Sequence, residues 1–220
     1  MRANEDEVVD ALVNRNKDII VSWESVRDQN PSEYIEKGYL DADDNVRLRT
    51  VSECCNCFGA GYKGFQGSGA KHKFEEDTDI KRLKFYPNGE WDNRLTPDGN
   101  RFTEFHINSA ENDKYAWSRL TELNQKIALF SHEKVSSTTY EAIFKGLYRV
   151  NKVESLKNKK VTYDRISKIM PTYYPKNVIA PKVIAEAYDK EGYMVAHFYD
   201  AEVLDVFQKK YEVDYIYRKK

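Results

Sequence analysis

Cys54, Cys55 and Cys57 fall within four residues. Cys54 and Cys57 have the Cys-x-x-Cys spacing at which two thiolates grip one zinc ion, and Gly59 and Gly61 just after them would let the backbone curl around the sulfurs. A structural zinc site needs four ligands, and the spacing of His72 and His106 follows no zinc pattern, so zinc competes with a plainer reading: a loop with buried thiols. Five of the ten glycines, Gly59, Gly61, Gly64, Gly67 and Gly69, lie between Cys54 and Ala70. Backbone N–H groups in such a loop bind anions, but no Gly-Lys-Ser/Thr follows and the spacing fits neither the P-loop nor the dinucleotide fingerprint. Flexible connection is the blander account. Ser131-His132-Glu133 sets hydroxyl, imidazole and carboxylate side by side, yet neighbours on a strand point to opposite faces, which is not triad geometry. Asp92, Asp98, Glu104 and Glu141 are carboxylates that a metal-dependent nuclease would gather beside a lysine, without the Asp…Glu-x-Lys order on consecutive strands that would single them out. No complete catalytic motif is present, and no cofactor is expected.

The elements that must carry these residues are written in hydrophobic periodicity. Val8, Val9, Leu12, Val13, Ile19, Ile20 and Trp23 share one face of an amphipathic helix over Glu5 to Arg27, ended by Asn30-Pro31. Ser32 to Tyr39 supplies a short helical turn, Asp41, Asp43 and Asp44 a solvated loop, and Val46 to Val51 a strand. Ile80 to Tyr86 alternates as a strand and stops at Pro87-Asn88-Gly89. Thr96-Pro97-Asp98-Gly99 is a tight turn, followed by a strand over Arg101 to Ile107 with one apolar side. Ser118 to Gln125 is a short helix or a loop, and Lys126 to Ser131 a buried strand. Thr139 to Val150 is a strand with a bulge or bend at Gly146. Asn151 to Lys160 is a polar hairpin or loop before Val161 to Ile169. Pro171, Pro175 and Pro181 mark a boundary. Beyond it the pattern predicts helix over Pro181 to Tyr188, strand over Tyr193 to Phe198, helix over Glu202 to Lys210 and strand over Tyr211 to Tyr217. Three segments follow: an N-terminal helical segment, 1–45; a barrel, 46–170; and a C-terminal α/β extension, 171–220.

Two resemblances bear on function. Cys54-Cys55-Asn56-Cys57-Phe58-Gly59-Ala60-Gly61 resembles one half-site of the zinc region in DnaJ-type chaperones, without that family's further Cys-x-x-Cys pairs. The run Trp91 to Phe102, the apolar Lys126-Ile127-Ala128-Leu129-Phe130 and the segment Phe144-Lys145-Gly146-Leu147-Tyr148-Arg149-Val150 resemble the succession in PUA-like barrels, which include the SRA, EVE and YTH readers of modified bases. The likeness covers about residues 80 to 170 and implies an α+β fold: a PUA-like mixed β-barrel, here with an N-terminal amphipathic helix and a C-terminal αβαβ extension. It also implies a nucleic-acid-binding module that holds a flipped or single-stranded base in an aromatic pocket, in defence against foreign DNA or in RNA handling. On that basis Trp91 and Trp117 are candidate stacking faces and Asp92 and Asn93 candidate edge readers. Arg94, Arg101 and Lys145 are candidate phosphate contacts.

Composition narrows the alternatives. With 35 Lys+Arg against 36 Asp+Glu a uniformly basic surface is excluded, so any phosphate contact must come from local clustering. The same balance suits a rival reading, a protein-interaction factor or inhibitor whose 16 tyrosines meet a protein partner. A metal-dependent nuclease on the same core is the second rival. The apolar runs are too short to span a bilayer, the first residues carry no secretory or transit pattern, and three clustered cysteines make no even disulfide framework. A cytoplasmic protein is expected. No repeat of 20 to 50 residues appears, which argues against a solenoid.

Overall fold

The computed structural model describes residues 30–64, 66–67, 69–121, 126–211 and 215–219. The amphipathic helix expected over Glu5 to Arg27 lies outside the described residues. Helix α1 (Ser32–Lys37) ends at Gly38, whose φ of 85° is a left-handed conformation that a side chain would strain. Strand β1 (Tyr39–Asp41) leads into a 3-10 turn, Ala42–Asp44, capped by the Asp41 carboxylate, which accepts from the Asp43 N–H. Strand β2 (Arg47–Leu48) is shorter than expected, because Thr50 caps a new helix, α2 (Val51–Asn56), by accepting from the Glu53 N–H. Strands β3 (Gly69–Lys71), β4 (Thr78–Leu83), β5 (Arg94–Leu95) and β6 (Arg101–Glu104) precede helix α3 (Ser109–Thr121). Then come β7 (Lys126–Lys134), β8 (Tyr140–Val150), helix α4 (Lys152–Asn158), β9 (Val161–Ser167) and β10 (Ile169–Pro171). Strands β11 (Ala185–Tyr188) and β12 (Met194–Phe198), helix α5 (Ala201–Lys210) and β13 (Tyr215–Arg218) complete the order.

The result is the expected sheet-dominated α+β fold. The main sheet runs β3-β4-β7-β8-β9-β6-β5, with β2 also paired to β8; β4 and β7 are parallel and the remaining pairs antiparallel. Along β7 and β8 the register steps from Leu129↔Gly146 to Phe130↔Phe144, leaving Lys145 as the extra residue of a bulge. Gly146 has φ 119°, and a Cβ there would lie 2.5 Å from the Ser167 carbonyl oxygen. Because strand side chains alternate, the sheet has two buried faces. Ile80, Ala128, Phe130, Ala142 and Phe144 pack on α2, while Phe102, Ile127, Leu129, Tyr148 and Tyr163 form the other core. Each large apolar side chain so buried stabilises the fold by roughly 1.5–3 kcal/mol. A three-stranded sheet, β12-β11-β13, closes over α5 through Ala185, Ala187, Phe198, Leu204 and Phe207, and Tyr39 of β1 sits in that same core.

Several local expectations are corrected. Cys54 and Cys55 lie on α2 rather than in a glycine loop, and with Cys57 they are fully buried in the core beneath the sheet. Asn151 to Lys160 is a helix, capped where the Asn151 side chain accepts from the Glu154 N–H and ended by left-handed Lys159. Val153 and Leu156 remain exposed, so this helix had no apolar stripe to announce it. Residues 185–188 pair with β12 and β13 as a strand, not a helix, burying Ala185 and Ala187 at period two. Asp41 is not solvated: it is fully buried and accepts from Lys210 (2.8 Å) and Tyr211. The helix expected at 118 begins at Ser109. Leu40 and Tyr39 enter one core each.

Candidate functional site

A cavity of 410 Å³ opens where β4 leaves the sheet. The turn Pro87-Asn88-Gly89 shapes its entrance: the Asn88 side chain accepts from the Glu90 (3.1 Å) and Trp91 (2.8 Å) N–H groups. Trp91 then bridges to His106, and its half-buried ring packs edge to face against His106 (4.9 Å) and Tyr115 (5.1 Å). Two residues on, Asn93 is buried and its Nδ2 donates to the Lys84 carbonyl at 3.3 Å. Its Oδ1, equally buried, has no partner among the described residues. Trp91 and Asn93 both line the cavity.

Glu104, at the end of β6, lines the same cavity and is 3% exposed. Lys81 of β4 donates to both carboxylate oxygens at 3.2 Å, and the Tyr115 hydroxyl donates to one of them. Tyr115 is delivered by α3, whose start is fixed by Asn108 accepting from the Ala110 and Glu111 N–H groups. Behind Tyr115 the Tyr163 hydroxyl stands 3.3 Å away and accepts from Arg119 (3.1 Å), which also pairs with Asp79 (3.1 Å). Burial pushes the Glu104 carboxyl up, but Lys81, the tyrosine hydroxyls and Arg119 outweigh it and hold the group below the usual carboxylate range. Burial lowers the Lys81 ammonium against the opposing pull of Glu104. The floor of the cavity is therefore a carboxylate kept ionised in a dry setting, which accepts hydrogen bonds and donates none.

Of the residues singled out in the sequence, Trp91, Asn93 and Glu104 line the cavity, and Asp92, Arg94, Arg101, Trp117 and Lys145 do not. Asp92 is occupied at the surface by Arg94, 3.1 Å away, and that ion pair holds its carboxyl low. Arg101 is engaged by Asp164 (2.6 Å) and Glu154 (3.6 Å), and Lys145 by Glu133 (2.8 Å). Trp117 is 72% exposed on α3 and does not line the cavity. The carboxylates considered for a nuclease disperse: Asp98 accepts from Thr96 and Asn100 in its turn, and Glu141 pairs with Arg47 at 2.9 Å. Ser131 donates to Glu133 at 2.5 Å, while His132 meets the Tyr86 hydroxyl at 2.9 Å, so these three make no triad. Burial pushes the Cys54 and Cys57 thiols well up, away from the thiolate a metal needs. Among the described residues no group of three or more His, Cys, Asp or Glu is arranged to hold a metal. Lys81 and Tyr115 were missed; the signal for Glu104 was a carboxylate on the Phe102 side of a strand, the side that is buried.

The family model of the SRA (SET and RING associated) domain matches residues 33–172. The chain belongs to the SRA family. This SRA domain is similar to the solved structure described as "The 5-Hydroxymethylcytosine-Specific Restriction Enzyme AbaSI", with 28% sequence identity and a TM-score of 0.59. That likeness covers 78% of this chain and 56% of the other, so the chain spans little more than half of that enzyme's length. Comparison with curated proteins returned no match. The matched region contains the whole cavity, from Lys81 to Tyr115.

Proposed function

We propose that this SRA domain is a DNA-binding reader that takes a modified cytosine, flipped from its duplex, into the cavity beside Trp91. One observation carries the reading: a buried, unpartnered Asn93 Oδ1 and the ionised Glu104 line one cavity with an aromatic wall. Two acceptors in a dry site call for a ligand edge with donors. Cytosine presents an N4 amino group with two donors, whereas thymine presents the O4 acceptor at that ring position and keeps only N3–H to donate. Trp91 and Tyr115 supply the stacking surface that a base leaving its helix must regain. A cavity of 410 Å³ lies within the range of about 300–1,000 Å³ usual for ligand sites, which leaves room for a substituent on the ring. The similarity to a 5-hydroxymethylcytosine-specific enzyme makes that base the first ligand to test.

The test is binding of the full chain to duplexes carrying one cytosine, 5-methylcytosine, 5-hydroxymethylcytosine or thymine at the same position, with matched RNA as a further arm. A modified-cytosine DNA duplex is expected to bind best. Trp91→Ala is expected to cost about 1–3 kcal/mol of that binding through lost stacking, and Asn93→Ala a comparable part of the discrimination. Equal affinity for thymine and modified cytosine would overturn the reading, as would RNA binding as tightly as DNA.

A further inference from the structure

Beyond the cavity, the same end of the sheet presents cations with no carboxylate to answer them. Most cationic groups near the site are committed: Arg94 to Asp92, Arg101 to Asp164, Arg119 to Asp79, Lys145 to Glu133, Arg47 to Glu141. Among the described residues, Arg82, Lys84 and Lys134 join no such pair, and the register puts Arg82 and Lys134 on one face. Arg82 is level with Phe130 and Lys134 with Tyr140, so Arg82, His132, Lys134 and Tyr140 project to one side of β4, β7 and β8. Glu133 and Glu141, opposite each other, project to the other side. The tyrosines on this patch are half in solvent, Tyr86 at 38% and Tyr140 at 40%, and both are tied to His132. The Tyr86 hydroxyl meets His132 Nδ1 at 2.9 Å, and the Tyr140 ring stacks on the imidazole at 4.7 Å and 29°. Burial, Arg82 and Lys84 all hold the imidazole below its usual range, so it is a neutral stacking partner at pH 7. Lys81, level with Leu129, points to the other face, so the patch meets the cavity at the edge of β4, where Arg82 and Lys84 also line it.

We infer that this face, Arg82, Lys84 and Lys134 with the Tyr86–His132–Tyr140 cluster, holds the phosphodiester strand that leads out of the base cavity, which rests on the cavity's reading as a base site. Uncompensated cations would neutralise phosphates, and the paired rings would carry the sugar or base of the flanking nucleotide.

The experiment measures affinity of the wild type, Lys84→Gln/Lys134→Gln and Trp91→Ala for the modified and unmodified duplexes over a series of salt concentrations, with thermal unfolding as a control on folding. Both lysines are exposed, so the double variant should fold as the wild type does. It is expected to weaken binding to modified and unmodified duplexes alike. It should also flatten the slope of log affinity against log salt by about 0.9 for each phosphate that is no longer neutralised. Trp91→Ala is expected to keep the wild-type slope and lose the preference for the modified base. A double variant with wild-type affinity and slope, while Trp91→Ala still abolishes the preference, would overturn the strand path and leave the cavity reading standing. Wild-type binding that ignores salt and modification would overturn both.

Discussion

Burial alone would keep a carboxyl as enclosed as that of Glu104 neutral, yet Lys81 stands 3.2 Å from both of its oxygens and Tyr115 donates to one. Removing the cation leaves the anion desolvated and unpaired. Lys81→Met is therefore expected to lose about 3–5 kcal/mol of unfolding free energy at pH 7, read from urea titration. Lys81→Met combined with Glu104→Leu should recover much of that loss, because no buried charge is then stranded. A single variant within about 1 kcal/mol of wild type would show that the carboxylate does not depend on Lys81. The sign with pH follows from the direction of the shift. The Glu104 carboxyl ionises below its ordinary value of 4.5 in the folded protein, so its contribution is complete above about pH 4.5 and lost as pH falls through the folded value. Asn93 is different in kind: its buried Oδ1 is a cost in the unliganded protein that a donor on a ligand would remove.

At the scale of elements, the bulge at Lys145 and the glycine after it set how β8 passes between β7 and β9. Gly146 combines φ 119° with a close approach to the Ser167 carbonyl and the Arg165 side chain, so a methyl group meets both strain and collision. Gly146→Ala is expected to destabilise by at least about 1–3 kcal/mol, seen as a lower denaturant midpoint at unchanged slope. A midpoint equal to wild type would mean that the strand can slide to free the position. Much of this level was legible in advance. The β7 and β8 strands, the bend at Gly146, the turn at Thr96 to Gly99 and helix α5 all carry local signals of period, proline or glycine. Helix α4 and strand β11 did not: the first exposes Val153 and Leu156 in place of an apolar stripe, and the second is four residues long with two alanines as its buried side.

At the scale of the whole molecule, buried polar and aromatic groups join the eight-stranded and the three-stranded sheets, and two of these groups titrate. His72 and His197 are 4% and 3% exposed, and burial pushes each imidazole down to about 4. His72 Nδ1 accepts from the Phe74 (3.0 Å) and Glu75 (2.9 Å) N–H groups, which requires that nitrogen to be unprotonated. His197 contacts Tyr173 and Tyr199 at the junction of the sheets. The unfolded chain takes up these protons near pH 6.5, before the folded protein can. Stability is thus full above about pH 6.5 and falls toward pH 4, by about 1.4 kcal/mol per pH unit for each histidine. Unfolding midpoints measured from pH 7 to 4.5 should fall accordingly, and a flat profile would show that neither ring is held neutral.

Sequence alone determined what depends on near neighbours: the alternating strands, the turn chemistry, the α+β class, the likeness to PUA-like barrels, and the segment in which Trp91 and Asn93 lie. It could not determine which charges are paired, because the partners of Arg101 and Lys145 are brought to them by folding. Arg101 meets Asp164 from 63 positions away. Nor could it assemble the cavity floor, since Lys81, Glu104 and Tyr115 come from β4, β6 and α3, elements that local periodicity describes one at a time. A carboxylate in an apolar strand is ambiguous until the tertiary structure supplies the lysine that keeps it charged.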